Sequence, residues 1–276
     1  MNFIPIYDLS DARVSPYCHL SNRQLRSSVY GDCSLSICES LLVIREAFAR
    51  GVNVQSLLIS DNHVQTIARD LPCLCERDLP IFVASAELLS SIAGFSVTRG
   101  YFACVKRPSW TPLSTNALRD VKTLCVLENF RDVSNVGATI RNALALGVDA
   151  MLLSPECADP FSRRSIRTSM GTVFGMSMFQ APAPWPAASL ECLKAAGFYL
   201  LAMALQKGAL PLNELQIGKE QKLALFFGNE GTGLSAAVLD AVDACCIIPM
   251  DTCVDSLNVA ASTAISFWEL RCARSR

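Results

Sequence analysis

Three stretches in the C-terminal half hold polar side chains where a ligand would be met. Ile247 to Ser262 reads as the end of a buried strand, a tight loop closed by Pro249, and a helix whose start carries Ser256 and Asn258. Backbone N–H groups in a first helical turn lack helical partners. Ser256 or Asp255 therefore serves as cap, and Asn258 lies in the first turn, facing whatever the loop encloses. In Phe227 to Ser235, the glycines Gly228, Gly231 and Gly233 free the backbone to wrap a flat ligand, with Asn229 and Glu230 as polar ends. Earlier in the chain Asn135 suits a helix cap, Gly137 permits close approach, and Arg141 lies between one and two turns along. Its long side chain must reach back to join the helix start. Taken alone, each stretch also reads as an ordinary element: a capped C-terminal helix with nothing bound at Ser256 to Asn258, a strand-to-helix turn at the glycines, and a capped helix with Arg141 in a salt bridge. The glycine loop is not a phosphate-gripping P-loop, which needs Lys then Ser/Thr, nor the G-x-G-x-x-G dinucleotide turn.

The elements that must position these stretches are apolar runs separated by helical patterns: Leu124 to Leu127, Ala150 to Leu153, Phe198 to Ala202, Leu223 to Phe227 and Cys245 to Ile248. Near-continuous apolar strands of this kind indicate a parallel sheet covered on both faces, with ligands at the C-terminal ends of its strands. Before them, a compact α/β unit alternates Phe3 to Ile6, a polar arm with Arg23 and Arg26, Leu57 to Ile59, Ile81 to Val83 and Tyr101 to Val105. Its helices are expected after a capping-box spacing at Ser36 to Glu39, stopped by Gly51, then over His63 to Leu71, and over Ala86 to Ile92 before Gly94. Pro108 and Pro112 interrupt the alternation, which sets the domains at 1–107 and 120–276 with a linker over 108–119.

Composition limits the function classes. The chain has 276 residues, 51% of them hydrophobic, enough for two cores. Every long apolar run is broken by charges or prolines and the N-terminus lacks a basic region ahead of an apolar one, so neither a membrane span nor a secretory signal is expected, and the location is cytoplasmic. Thirteen cysteines without a C-x-x-C, and only two histidines, point to reduced buried thiols and no metal site. A formal net charge of −1 excludes a protein that grips nucleic acid by overall charge; a polyanion would need a local patch. Arg163, Arg164 and Arg167, on one side of an expected helix, are the candidate patch. No DNA partner is expected.

In this order, Asn135-x-Gly137 with Arg141, Gly228-Asn229-Glu230-Gly231-x-Gly233-Leu234, and Ile248-Pro249-Met250 with Ser256-Leu257-Asn258-Val259 closely resemble the three signature motifs of the SpoU (TrmH-like) RNA 2′-O-ribose methyltransferases of the SPOUT superfamily. The likeness spans the second half and includes Asp159-Pro160 and Ser169-Met170-Gly171. It implies a parallel-sheet catalytic domain with a C-terminal trefoil knot, preceded by a small α/β substrate-binding domain. It also implies a homodimer that transfers a methyl group from S-adenosylmethionine to a ribose 2′-hydroxyl of rRNA or tRNA. The cofactor would lie against Gly228, Asn229, Glu230, Gly231, Gly233, Ile248, Pro249, Met250 and Leu257. Arg141, Asn135, Glu230, Ser256 and Asn258 would serve the reaction, and Arg163, Arg164 and Arg167 the RNA. The family gives the arginine the role of base, with help from an RNA phosphate. A guanidinium stays protonated near neutrality, which favours stabilising the alkoxide and gripping a phosphate. Asn135 and Glu230 would hold the arginine and ribose, and Ser256 and Asn258 would order loop and substrate. One departure is Asp251-Thr252-Cys253, where the family commonly has glycine; β-branched Thr252 resists a positive φ. That departure is the one hint of the alternative, an RNA-binding protein of the same fold without transfer activity. A dinucleotide enzyme is disfavoured by the missing fingerprint.

Overall fold

The computed structural model describes residues 1–18, 35–251 and 256–275. The chain forms two compact units, one of Met1–Pro108 with Phe161–Phe174, the other of Ser109–Pro160 with Gly175–Arg276. Arg23, Arg26, Thr252, Cys253 and Asp255 lie outside the described residues.

The first unit is built on a mixed five-stranded sheet of β1 (Asn2–Pro5), β2 (Leu35–Glu39), β3 (Val54–Ser60), β4 (Pro80–Ala84) and β5 (Tyr101–Lys106), in the order β1-β4-β3-β5-β2. β4 runs parallel to both its neighbours, and β5 antiparallel to both of its own. Helices α1 (Leu41–Ala49), α2 (Ile67–Asp70) and α3 (Ala86–Ala93) join them. Gly51 and Gly94 take positive φ after α1 and α3, as helix stops do. The capping-box spacing at Ser36 to Glu39 is not a helix start: these residues are strand β2, paired with β5 and buried at Ser36, Ile37 and Cys38. Burial against a central strand outweighs a local capping preference. The helix expected over His63 to Leu71 shortens to α2 between two 3₁₀ turns, because Pro72 lacks an N–H and holds Leu71 at φ −135.

Phe161–Phe174 belongs to this unit although the sequence assigns it to the second half. Its helix Arg163–Thr168 starts at Ser162, whose Oγ accepts from Ser165 N at 3.2 Å. Ser36 Oγ donates to Phe161 O at 2.9 Å, while Phe161, Ile166 and Val173 are buried. Burial of each such side chain is worth roughly 1.5–3 kcal/mol. The accompanying ion pairs of Arg163 and Arg167 with Glu39 are partly exposed, worth about 0–1 kcal/mol each, so apolar packing holds the segment.

The second unit has an eight-stranded sheet in which every pairing is parallel. Its strands are β6 (Thr111–Pro112), β7 (Thr123–Leu127), β8 (Ala150–Leu153), β9 (Ser177–Gln180), β10 (Phe198–Met203), β11 (Leu210–Pro211), β12 (Lys222–Phe227) and β13 (Ala244–Ile247), in the order β11-β13-β10-β12-β7-β8-β9-β6. The helices are α4 (Val133–Ala145), α5 (Ala187–Ala195), α6 (Ala236–Leu239) and α7 (Val259–Ser275). Alternation of side chains along each strand divides the core. Leu124, Val126, Leu200, Ala224 and Phe226 pack with Leu193 of α5 and Val238 of α6. Phe227 meets Phe267 of α7 edge-on, and α7 lies along α4. The stretch expected as a linker contributes β6 as an edge strand and Leu118 to this core. No helix among the described residues is long and apolar enough to cross a membrane.

Candidate active site

All three polar stretches follow strands of the parallel sheet. α4 follows β7 after a short turn, and its cap is Asp132, whose carboxylate accepts from Ser134 N at 2.6 Å and Asn135 N at 3.0 Å. An acid suits the positive end of a helix. Asn135, expected as that cap, sits in the first turn instead, and its side chain is directed elsewhere. At the other stretch the cap is Asn258, where Ser256 or Asp255 was expected. Its Oδ1 accepts from Ala260 N at 2.9 Å, and its carbonyl accepts from Ser262 N at 3.0 Å.

These corrections bring the stretches together on one oxygen. Glu230 Oε1 accepts from Asn135 Nδ2 at 2.8 Å, Asn258 Nδ2 at 3.1 Å and Val259 N at 3.5 Å, and Asn258 Nδ2 also lies 3.3 Å from Asn135 Oδ1. Hydrogen bonds to an ionised acceptor are the stronger kind, so Glu230 fixes two helix starts at once. Asn229 shapes the glycine loop that presents Glu230. Its Oδ1 accepts from Gly231 N at 2.8 Å, its carbonyl from Gly233 N at 2.8 Å, and its Nδ2 donates to Asn129 O at 2.9 Å.

Beside the trio lies a cavity of about 370 Å³. Of the residues expected there, Gly228, Asn229, Glu230, Gly233, Ile248, Met250 and Leu257 line it, and Ser256 joins them; Gly231 and Pro249 are not in its wall. One side is apolar, with Leu234, Leu239, Cys246 and Ile248. Burial, then the neighbouring Cys245, pushes the Cys246 thiol up to about 11, so it lines the wall as a neutral group. The sequence reading missed Met203 to Gln206, which leave the end of β10 and form another part of the wall. The rule that ligands gather at strand C-termini pointed there, but Met203 to Gln206 hold neither a glycine nor a charged residue to mark them.

Arg141 is exposed on α4 and makes neither an ion pair nor a hydrogen bond with any described residue. Among the described residues nothing supplies the salt-bridge alternative. Asn142, also missed, donates from Nδ2 to Ala260 O at 2.7 Å and lies 3.3 Å from Thr263 Oγ1, seating α7 on α4. It falls two turns from Asn135 and so on the same face, a periodicity the sequence did offer. The arginine patch is divided. Arg167 bonds Glu39 at 3.2 Å, and Arg163 approaches Glu39 at 4.0 Å with its guanidinium over the Phe95 ring, 4.4 Å from the centroid. Burial lowers the Arg163 pKa, against the pull of Glu39. Those two arginines are engaged within the first unit; Arg164 lies on the same helix.

Residues 122–268 match the SpoU rRNA Methylase family. An uncharacterised tRNA/rRNA methyltransferase of Mycobacterium bovis is 34% identical over 265 residues, 96% of this chain and 90% of that protein. The 23S rRNA (guanosine(2553)-2′-O)-methyltransferase RlmP of Bacillus subtilis is 28% identical over 229 residues, 83% of this chain and 85% of its own length. In fold, the chain is similar to the crystal structure of an AdoMet-bound rRNA methyltransferase from Sinorhizobium meliloti, with a TM-score of 0.79, 24% identity and 98% of each chain covered.

Proposed function

From the premise that this chain belongs to the SpoU rRNA Methylase family, and so is an RNA 2′-O-methyltransferase that uses S-adenosylmethionine, we propose how its own residues divide the work. The observation that carries the proposal is the meeting of Asn135, Glu230 and Asn258, from three separate stretches, at the edge of one cavity. That cavity fits the cofactor's chemistry: an apolar wall for a flat ring, and loop amides with a carboxylate for a charged tail. Gly228, Asn229, Gly233, Ile248, Met250 and Leu257 would hold it there. When bound, it supplies an electrophilic sulfonium methyl.

What remains for the protein is to place a ribose hydroxyl and to stabilise the charge that develops on it. Asn135, Glu230 and Asn258 form a rigid polar floor for the ribose. Arg141, exposed and unpaired among the described residues, is the group to meet the alkoxide and a phosphate. Ser256 lines the cavity and would help to order the substrate there. The RNA is proposed to be ribosomal or transfer RNA, bound in part by the first unit, with Arg164 rather than Arg163 or Arg167 reaching phosphate. The family's trefoil knot is proposed for the C-terminal part of the second unit. The cytoplasm is the proposed compartment.

The test is methyl transfer from labelled S-adenosylmethionine to total RNA from a strain lacking this gene. Label recovered as a 2′-O-methyl nucleotide is the expected result; cofactor binding with no label in any RNA would favour the inactive alternative. A homodimer is also proposed. Ile265 and Trp268, 40% and 57% exposed, form an apolar face on α7 that a second copy would cover. Trp268→Asp is expected to shift the sedimentation coefficient from dimer to monomer; a wild-type monomer at micromolar concentration would refute the assembly.

A further inference from the structure

Glu128 is buried, 1% exposed, immediately after β7, and its carboxylate touches neither the cavity nor the Glu230 trio. A buried carboxylate is costly unless its lone pairs are satisfied. Here Oε2 accepts from Ser235 N at 2.7 Å, while Oε1 accepts from Ser235 Oγ and Trp185 Nε1, each at 2.8 Å. Ser235 closes the glycine loop and caps α6, its Oγ lying 3.4 Å from Val238 N. The next residue, Asn129, sits at φ +59, and its carbonyl takes the bond from Asn229 Nδ2 at the loop's opening. Both ends of the glycine loop are thus fastened to two consecutive residues at the end of β7. Asn229 closes the loop's internal turn, but three glycines leave the backbone free to swing as a whole, so its placement at the cavity must come from such anchors.

We propose that Glu128 is a positioning residue for cofactor binding: by holding Ser235 it sets the glycine loop in the form that receives S-adenosylmethionine. The proposal rests on the cofactor reading above. Trp185 gives the means to separate this role from plain stability, since its bond to Glu128 leads to the loop after β9 and not to the glycine loop.

The experiment is calorimetric titration of S-adenosylmethionine into the full-length wild type, Glu128→Gln, Ser235→Ala and Trp185→Phe, with a thermal melt of each. Hydrogen bonds to a charged group are worth enough for a loss of about tenfold in affinity. Glu128→Gln and Ser235→Ala are expected to weaken binding by that factor, and to raise KM for the cofactor more than KM for RNA. Trp185→Phe should lower the melting temperature while leaving affinity near wild type. Equal affinity in all four proteins, or equal loss in Trp185→Phe and Glu128→Gln, overturns the positioning role. A wild type that does not bind the cofactor overturns the cofactor reading itself, and the proposal with it.

Discussion

Arg141→Ala is expected to lower kcat for methyl transfer by about 10²- to 10³-fold, the range seen when a preorganised donor to a developing oxyanion is removed. Cofactor affinity should stay within about twofold, as for an exposed substitution outside the binding wall. The separation follows from geometry: Arg141 is exposed on α4 and is absent from the cavity lining. Its charge is held ready because no described residue pairs with it. Arg141→Lys is the discriminating variant. A lysine keeps the charge but loses the planar fork, so recovery should be partial if the guanidinium meets alkoxide and phosphate together. Single-turnover rates at saturating RNA, beside calorimetric binding of the cofactor, measure both quantities. A loss of cofactor affinity equal to the loss of rate would place Arg141 in the binding machinery instead.

Much of the fold was legible because burial writes itself into strands. Five apolar runs of the second half are strands of the parallel sheet, and the three polar stretches follow three of them. Short edge strands were not legible: Thr111–Pro112 and Leu210–Pro211 have two residues each and no period to detect. Nor was the membership of Phe161–Phe174 in the first unit, since Phe161, Ile166 and Val173 would be buried in either unit and pairing across more than a hundred residues leaves no local mark. In the site, the residue types were readable but their jobs were not. Asn135 and Asn258 each have a near neighbour able to cap a helix; Asp132 takes that job from Asn135, whereas Asn258 caps with its oxygen and bonds Glu230 with its nitrogen, a division no local pattern shows. The arginines of 163–167 share one helix, yet Glu39, far away in sequence, engages two of them.

Gly228→Ala should weaken S-adenosylmethionine binding by between about 10-fold and 100-fold or more, and lower the melting temperature as well. A Cβ at this position would lie 2.2 Å from Gly233 C, 2.3 Å from Leu234 N and 2.5 Å from Gly233 O. All three are backbone atoms, which cannot turn aside as a side-chain tip would, so the loop must open where it crosses itself. Gly228 and Gly233 both line the cavity, and separating them alters the wall directly. The other glycines supply the contrast. At Gly231 a Cβ would meet only Asn229 Oδ1, at 3.4 Å, an ordinary contact on a residue outside the wall, so Gly231→Ala should bind the cofactor nearly as well as wild type. Gly233 has open space around a Cβ but sits at φ +68, so Gly233→Ala should incur the left-handed cost of roughly 1–2 kcal/mol, intermediate between the two. The order Gly231, Gly233, Gly228 in increasing dissociation constant is therefore a direct reading of the loop's geometry. If the three alanine variants bind equally, the crossing at Gly228 does not shape the cofactor site.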